Sequence, residues 1–134
     1  MSKIWENFSE YIIQNYGHSN KIIEVGVGKI LEPSTILKQK LPQTTIKLVD
    51  INPYNETIIQ DDITKPTSKI YENADLIYSI RPPEELQPDI FKLSEKFNCD
   101  ILIKPLFTEE INYKYQNKIK LVNYKKMALY ILKK

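Results

Sequence analysis

The chain has 134 residues, 42% hydrophobic and 27% charged, with a net charge of +2, which suits one globular core and leaves little room for a second. No apolar run reaches the length of a membrane-spanning helix and the first residues hold no apolar signal core, so neither a membrane span nor secretion is expected. One cysteine (Cys99) and one histidine (His18) exclude an internal disulfide and a zinc site of the usual type, so no metal and a cytoplasmic location are expected.

In chain order, Ile4, Trp5, Phe8, Tyr11, Ile12 and Tyr16 recur on one helical face. This predicts a helix over residues 3–16, capped by Gly17, with residues 1–17 packing as an addition on the body of the domain. Residues 22–25 read as a short buried strand. Pro33 suits the first turn of a second helix, which Leu41-Pro42 closes. Residues 45–49 are β-rich and predict a second strand ending at Asp50, and residues 57–59 a short third one. Residues 75–80 predict a fourth strand, halted by Arg81-Pro82-Pro83. Leu86, Ile90, Leu93 and Phe97 share a face of the next helix, which either begins at Pro88 or follows a separate first turn. Residues 100–103 read as a fifth strand running to Lys104-Pro105, with Cys99 in the core before it. Residues 107–117 are weakly helical, and residues 118–122 and 127–132 are strand-like, joined by a loop at 123–126 that suits a hairpin.

Strands separated by helices imply an α/β fold. The expectation is a single Rossmann-like domain over residues 1–134, with a mixed, mostly parallel seven-stranded sheet, helices on both faces and a C-terminal antiparallel hairpin. In such a sheet ligands bind beyond the carboxyl ends of the strands. The first strand delivers Glu24-Val25-Gly26-Val27-Gly28 to that edge, and the two glycines remove side chains that would keep a ligand from the backbone. Asp50 ends the second strand, where a carboxylate can accept both hydroxyls of a ribose. Asp61 and Asp62 follow the third, where a carboxylate or the adjacent backbone can meet an adenine amino group. The plainer readings are a tight turn for the glycines and a solvated turn for the aspartates. A dinucleotide fingerprint would want a small residue where Leu31 stands, so an NAD(P)-binding oxidoreductase is the weaker alternative.

Glu24-x-Gly26-x-Gly28, then Asp50, then Asp62, with a terminal hairpin, resembles class I S-adenosylmethionine-dependent methyltransferases over residues 21–134. The chain is similar, more narrowly, to small uncharacterised archaeal proteins with that fold. Gly26-Val27-Gly28, Val49-Asp50-Ile51, Asp61-Asp62-Ile63, residues 78–86 and Ile103-Lys104-Pro105-Leu106 carry this likeness. The resemblance implies S-adenosylmethionine as cofactor. It would put Glu24 near the cofactor's amino-acid end, Gly26 and Gly28 around the loop, Asp50 on the ribose, Ile51 against adenine and Asp62 at the adenine amino group.

Amino-methylating enzymes of this fold often show Asp/Asn-Pro-Pro-aromatic after the fourth strand. Here Arg81-Pro82-Pro83-Glu84 stands there. Arginine cannot accept a hydrogen bond from an amine, but it can hold a carboxylate or phosphate. Arg81 and Lys104 together are a candidate anion site, with Tyr78 and Ser79 as nearby polar groups. A simple strand-to-helix connection is the competing account. The connections are short, so a partner chain or a second copy would have to cover the site. The alternative is a non-catalytic nucleotide-binding or scaffold module. Finally, residues 111–134 carry seven lysines and no acid, interleaved with Tyr113, Tyr115, Tyr124 and Tyr130. An anionic partner such as RNA is one reading and protection of a sheet edge the other.

Overall fold

The computed structural model describes residues 3–106 and 116–134. Among the described residues four α-helices are present: α1 (Lys3–Tyr16), α2 (Glu32–Lys40), α3 (Ser68–Tyr71) and α4 (Gln87–Phe97). The strands are β1 (Lys21–Val25), β2 (Thr45–Asp50), β3 (Ile59–Gln60), β4 (Leu76–Ile80), β5 (Asp100–Lys104), β6 (Ile119–Tyr124) and β7 (Met127–Leu132). They form one seven-stranded sheet in the order β3-β2-β1-β4-β5-β7-β6. The first five strands are parallel, β7 runs antiparallel to β5, and β6 pairs antiparallel with β7 at the edge. The order reverses between β1 and β4. Their carboxyl ends therefore frame the crevice where open α/β sheets bind ligands.

Side-chain alternation along the strands builds the two layers. Ile23, Val25, Ile77, Ile101 and Ile103 face one core cluster with Tyr71 of α3 and Ile90, Phe91 and Leu93 of α4. Ile22, Leu76, Tyr78 and Leu102 face the other, with Trp5, Phe8 and Ile12 of α1 and Leu37 of α2. The helical face read from the sequence is thus the buried face of α1. Gly17 follows α1 because a Cβ there would lie 2.5 Å from the Ile13 carbonyl oxygen.

Some boundaries differ from the expectation. The third strand is Ile59–Gln60, not 57–59, because Thr57 is held in a turn: its N–H and hydroxyl both donate to Asn55 Oδ1, at 2.9 and 2.6 Å. Both accounts of the fourth helix hold in part. A 3₁₀ turn over Glu84–Leu86 precedes α4, in whose first turn Pro88 sits. The hairpin loop is shorter than expected, since β6 runs to Tyr124. Only Lys125 and Lys126 turn the chain, at φ +46° and +68°, as a two-residue type I′ loop requires. Of the weak helix at 107–117, residues 107–115 lie outside the described residues and Gln116–Lys118 form a 3₁₀ turn. Cys99 is buried and His18 exposed. Among the described residues no helix is long and apolar enough to cross a membrane.

Candidate functional site

Val25 pairs with Val49 at the ends of β1 and β2. Beyond that pair the chain curls over β2, with the Gly26 N–H donating to the Val49 carbonyl at 2.9 Å. Gly26 has φ +67° and Gly28 φ +58°, the left-handed region that glycine enters without cost to a Cβ. A Cβ on Gly26 would meet only Ser79 Oγ, at 3.5 Å; on Gly28 it would meet nothing within 4 Å. The loop therefore bends at two glycines without protein filling the space above the second.

Asp50 ties the loop to the second strand. Its Oδ2 accepts from the Gly28 N–H and its Oδ1 from the Asn52 N–H, both at 2.8 Å. A carboxylate offers about four acceptor positions, so each oxygen keeps one. Gly26, Gly28, Asp50, Ile51, Asp61 and Asp62 all line one cavity of about 260 Å³. Val49, Ile63, Pro83 and Leu86 complete its wall. Ile51 is 55% exposed and so lends the cavity an accessible apolar face.

The two aspartates after β3 differ in freedom. Asp61 accepts from the Thr67 hydroxyl, the Thr67 N–H and the Tyr71 hydroxyl at 2.7, 3.1 and 2.8 Å. Burial works to raise its pKa, but these donors override burial and hold it below the usual carboxylate value. Asp61 is thereby a loop staple with little capacity left. Asp62 accepts from the Thr64 hydroxyl and N–H on Oδ1 alone. These same bonds hold its carboxyl below the usual value, and Oδ2 accepts no hydrogen bond among the described residues.

Glu24, Ser79, Arg81 and Lys104 do not line this cavity. Ser79 is buried and donates to the Val25 carbonyl at 2.8 Å, bracing the turn into Gly26. Glu24 is fully buried; Oε1 accepts from the Tyr78 hydroxyl at 2.7 Å and Oε2 has no partner. Burial raises its pKa to about 8 and the nearby Asp50 charge adds to this, against the Tyr78 bond and Lys38. Glu24 is consequently protonated at neutral pH. Tyr78 packs on Phe8 of α1, ring centroids 5.6 Å apart, so the pair lies beneath the α1 layer.

Arg81 and Lys104 come together elsewhere on the same edge. Ile80 pairs with Lys104, and the Arg81 N–H donates to the Lys104 carbonyl at 2.7 Å. The Arg81 guanidinium lies 5.2 Å and the Lys104 ammonium 6.0 Å from the centre of the Trp5 ring. His18 is at the opposite end of the sheet, beside Asp75 and Asp100 at the start of β4 and β5. Among the described residues no three His, Cys, Asp or Glu side chains converge to hold a metal.

Of the C-terminal lysines, Lys125 pairs with Glu10 at 2.5 Å and Lys133 with Asp100 at 3.4 Å. Tyr130 is buried and Tyr124 packs on Tyr11, whereas Lys118 and Lys120 are exposed on or beside the edge strand. Tyr113 and Tyr115 lie outside the described residues.

Sequence reasoning did not single out Ile63, Pro83 and Leu86 as cavity wall, nor Trp5 as the platform under Arg81 and Lys104. The wall residues lie within stretches that carry the family likeness, Asp61-Asp62-Ile63 and residues 78–86, but nothing in their residue types marks them as cavity wall. Trp5 read as one more apolar residue on the face of α1.

The fold is that of S-adenosylmethionine-dependent methyltransferases. A putative caffeoyl-CoA O-methyltransferase from Staphylococcus aureus superposes with a TM-score of 0.66, covering 100% of this chain and 84% of that one, at 9% identity. A SAM-dependent methyltransferase from Aquifex aeolicus gives 0.60, covering 97% and 90%, at 12% identity. Sequence relatives are closer. A UPF0146 protein of Methanothermobacter thermautotrophicus is 37% identical over 127 residues, 95% of this chain and 93% of the relative. One from Archaeoglobus fulgidus is 35% identical over 128 residues, 94% and 92%. With residues 5–134 matching its family model, the chain belongs to the uncharacterised protein family UPF0146, built on a methyltransferase-like fold.

Proposed function

We propose that this protein binds S-adenosylmethionine or a related nucleoside at the carboxyl ends of β1, β2 and β3 and works as a minimal methyltransferase in the cytoplasm. The observation that carries the reading is the open space above Gly28 in a cavity that also holds Asp50, Ile51 and Asp62. The residues fit the group. Asp50 keeps free acceptor positions for ribose hydroxyls, Asp62 Oδ2 for an amino group, and Ile51 with Ile63 and Leu86 offers apolar faces for a base. At about 260 Å³ the cavity is smaller than the roughly 300–1,000 Å³ of complete small-molecule sites, which suits the nucleoside portion of the ligand. Leu31 packs with Val27, Leu48 and Ile58 beneath the loop, where close approach of a dinucleotide pyrophosphate would need a smaller residue.

When bound, S-adenosylmethionine would supply an electrophilic methyl group. The chain's part is alignment and exclusion of water. Ser79 and Asp50 hold the glycine loop in one shape, and α1 seals the sheet beneath it. A second reading, a nucleoside-binding module without catalysis, is supported by the lack, among the described residues, of a cavity base beyond Asp50 and Asp62, which the nucleoside would occupy. Glu24 is buried and protonated, Asp61 is saturated, and His18 lies at the far end. A second chain covering the open edge belongs to the methyltransferase reading. Calorimetry with S-adenosylmethionine, S-adenosylhomocysteine and NADH in parallel tests the nucleoside binding that both readings share. Binding of the first two in preference to NADH supports the reading; tighter binding of NADH, or of none, overturns it.

A further inference from the structure

Two cations share one aromatic ring at the ends of β4 and β5. Lys104 is only 7% exposed, yet among the described residues no carboxylate forms an ion pair with it or with Arg81. Holding an ammonium on a mostly buried stem, partly desolvated and without a counter-charge among the described residues, is unfavourable, and placing a guanidinium beside it adds repulsion. Burial first, and then Arg81, lowers the Lys104 pKa accordingly. The backbone adds a second cost at the same place. Arg81 has φ +51°, a conformation that residues other than glycine, asparagine and aspartate rarely adopt. Its N–H bond to the Lys104 carbonyl holds it there and ties the two residues together. Strain, partial desolvation of a charge and like-charge proximity thus coincide at one spot, beside the crevice between β1 and β4. A strand-to-helix connection needs none of the three.

We propose that Arg81 and Lys104, arranged over Trp5, form a site for an oxyanion, a carboxylate or phosphate group carried by the methyl acceptor. This rests on the methyltransferase reading for the word acceptor, though not for the anion. The guanidinium supplies a planar pair of donors and the ammonium a compact charge, a combination suited to carboxylate and phosphate oxygens. The indole holds both side chains through cation–π contacts and excludes water from one side. Adjacent strands are about 4.8 Å apart, so β5 ends roughly 10 Å from the glycine loop of β1. An acceptor anchored here by its anion can extend its nucleophile towards that loop.

Trp5 is the only tryptophan of the chain, so its fluorescence reports on this site. The full-length protein is titrated with inorganic phosphate and, separately, with malonate, against chloride at matched ionic strength. Saturable quenching or enhancement by either oxyanion, absent with chloride, is expected; the stronger of the two identifies the acceptor's group. Arg81→Asn keeps a residue that tolerates positive φ, and Lys104→Met keeps the buried stem. Each should weaken the oxyanion at least about tenfold, the loss of one charge-assisted hydrogen bond. The same response with chloride, or an unchanged response in both variants, overturns the proposal. Glu109 and Glu110 follow Lys104 closely in sequence. If phosphate and malonate act only after Glu109→Gln with Glu110→Gln, the chain's own acids are the occupant and the proposal also falls. S-adenosylmethionine calorimetry on the unaltered protein separates the two readings. Oxyanion binding without S-adenosylmethionine binding leaves the anion site standing and sinks the methyltransferase, and the reverse sinks only the anion site.

Discussion

Replacing Glu24 by glutamine should stabilise the protein, and by an amount that grows with pH. Glu24 is fully buried, with one carboxyl oxygen bonded by Tyr78 and the other without a partner. Its pKa is pushed up from 4.5 to about 8, by burial above all. Between those values the folded protein keeps a proton that the unfolded chain has released. The folded state then binds more protons, so stability falls as pH rises, by about 1.4 kcal/mol per pH unit for this group. Glutamine mimics the protonated acid: its oxygen can accept from Tyr78, and it has no charge to lose. The two proteins should be nearly equal in stability near pH 4.5. By pH 7 the variant should lead by roughly 3 kcal/mol, and the gap should level off above about pH 8. Urea unfolding followed by far-UV circular dichroism at pH 5, 6, 7 and 8 measures the difference, in which titration of other groups cancels. A constant gap across this range would refute the reasoning. So would a gap of opposite slope, because either result means that the fold does not hold the Glu24 proton up to neutral pH.

Asp50→Ala should weaken S-adenosylmethionine about ten- to a hundred-fold in calorimetry, the loss of a charged hydrogen-bond partner; because Asp50 also holds the Gly28 and Asn52 N–H groups, unfolding must be measured alongside. An unchanged dissociation constant would remove Asp50 from the site. Gly28→Val should abolish cofactor binding, since its side chain enters open space; the positive φ strains a β-branched residue by about 1–3 kcal/mol, so circular dichroism and urea unfolding are measured alongside. Normal binding by this variant would show that the glycine loop is not a cofactor loop. Phe8→Ala should destabilise by about 3–5 kcal/mol in urea unfolding, as expected for a fully buried ring packed on Tyr78. For the lysine-rich hairpin, an RNA surface requires retention on RNA at low salt that Lys118→Glu with Lys120→Glu removes; no retention at low salt leaves these lysines as edge protection.

The sheet was legible because its strands are short apolar runs cut by proline, glycine and aspartate, and because the helix-period face of α1 is unbroken from Ile4 to Tyr16. β3 was misplaced by two residues, since the Asn55–Thr57 turn competes through side-chain bonds that β propensity does not register. α3 was invisible: four residues are one turn, too few for a period to show. At the site, Gly26, Gly28, Asp50, Ile51, Asp61 and Asp62 could be brought to one edge because each ends or follows a strand. Their individual states could not be read. Asp61 and Asp62 are neighbours of identical type, yet one is saturated by Thr67 and Tyr71 and the other keeps an oxygen free. Glu24 was expected at the ligand, but strand alternation turns its side chain into the α1 layer with Tyr78. Loop glycines are set by local sequence, whereas a carboxylate's protonation and spare lone pairs depend on residues tens of positions away.

The same long-range dependence runs through α1. On the β1–β3 side the edge presents acceptors, the free oxygens of Asp50 and Asp62. On the β4–β5 side it presents the cation pair Arg81 and Lys104. Were Glu24 ionised, a buried negative charge would sit between these halves, next to Asp50, whose charge already raises the Glu24 pKa. Keeping Glu24 protonated leaves the middle of the edge neutral and the two halves electrostatically distinct. Both features depend on α1: Phe8 packs on Tyr78, the partner of Glu24, and Trp5 carries the two cations. Hydrophobic burial by one helix face thereby sets a protonation state under one half of the edge and a pair of charges on the other. A sheet with the same strand order but a different helix in that position would keep the glycine loop and lose the polarity across it.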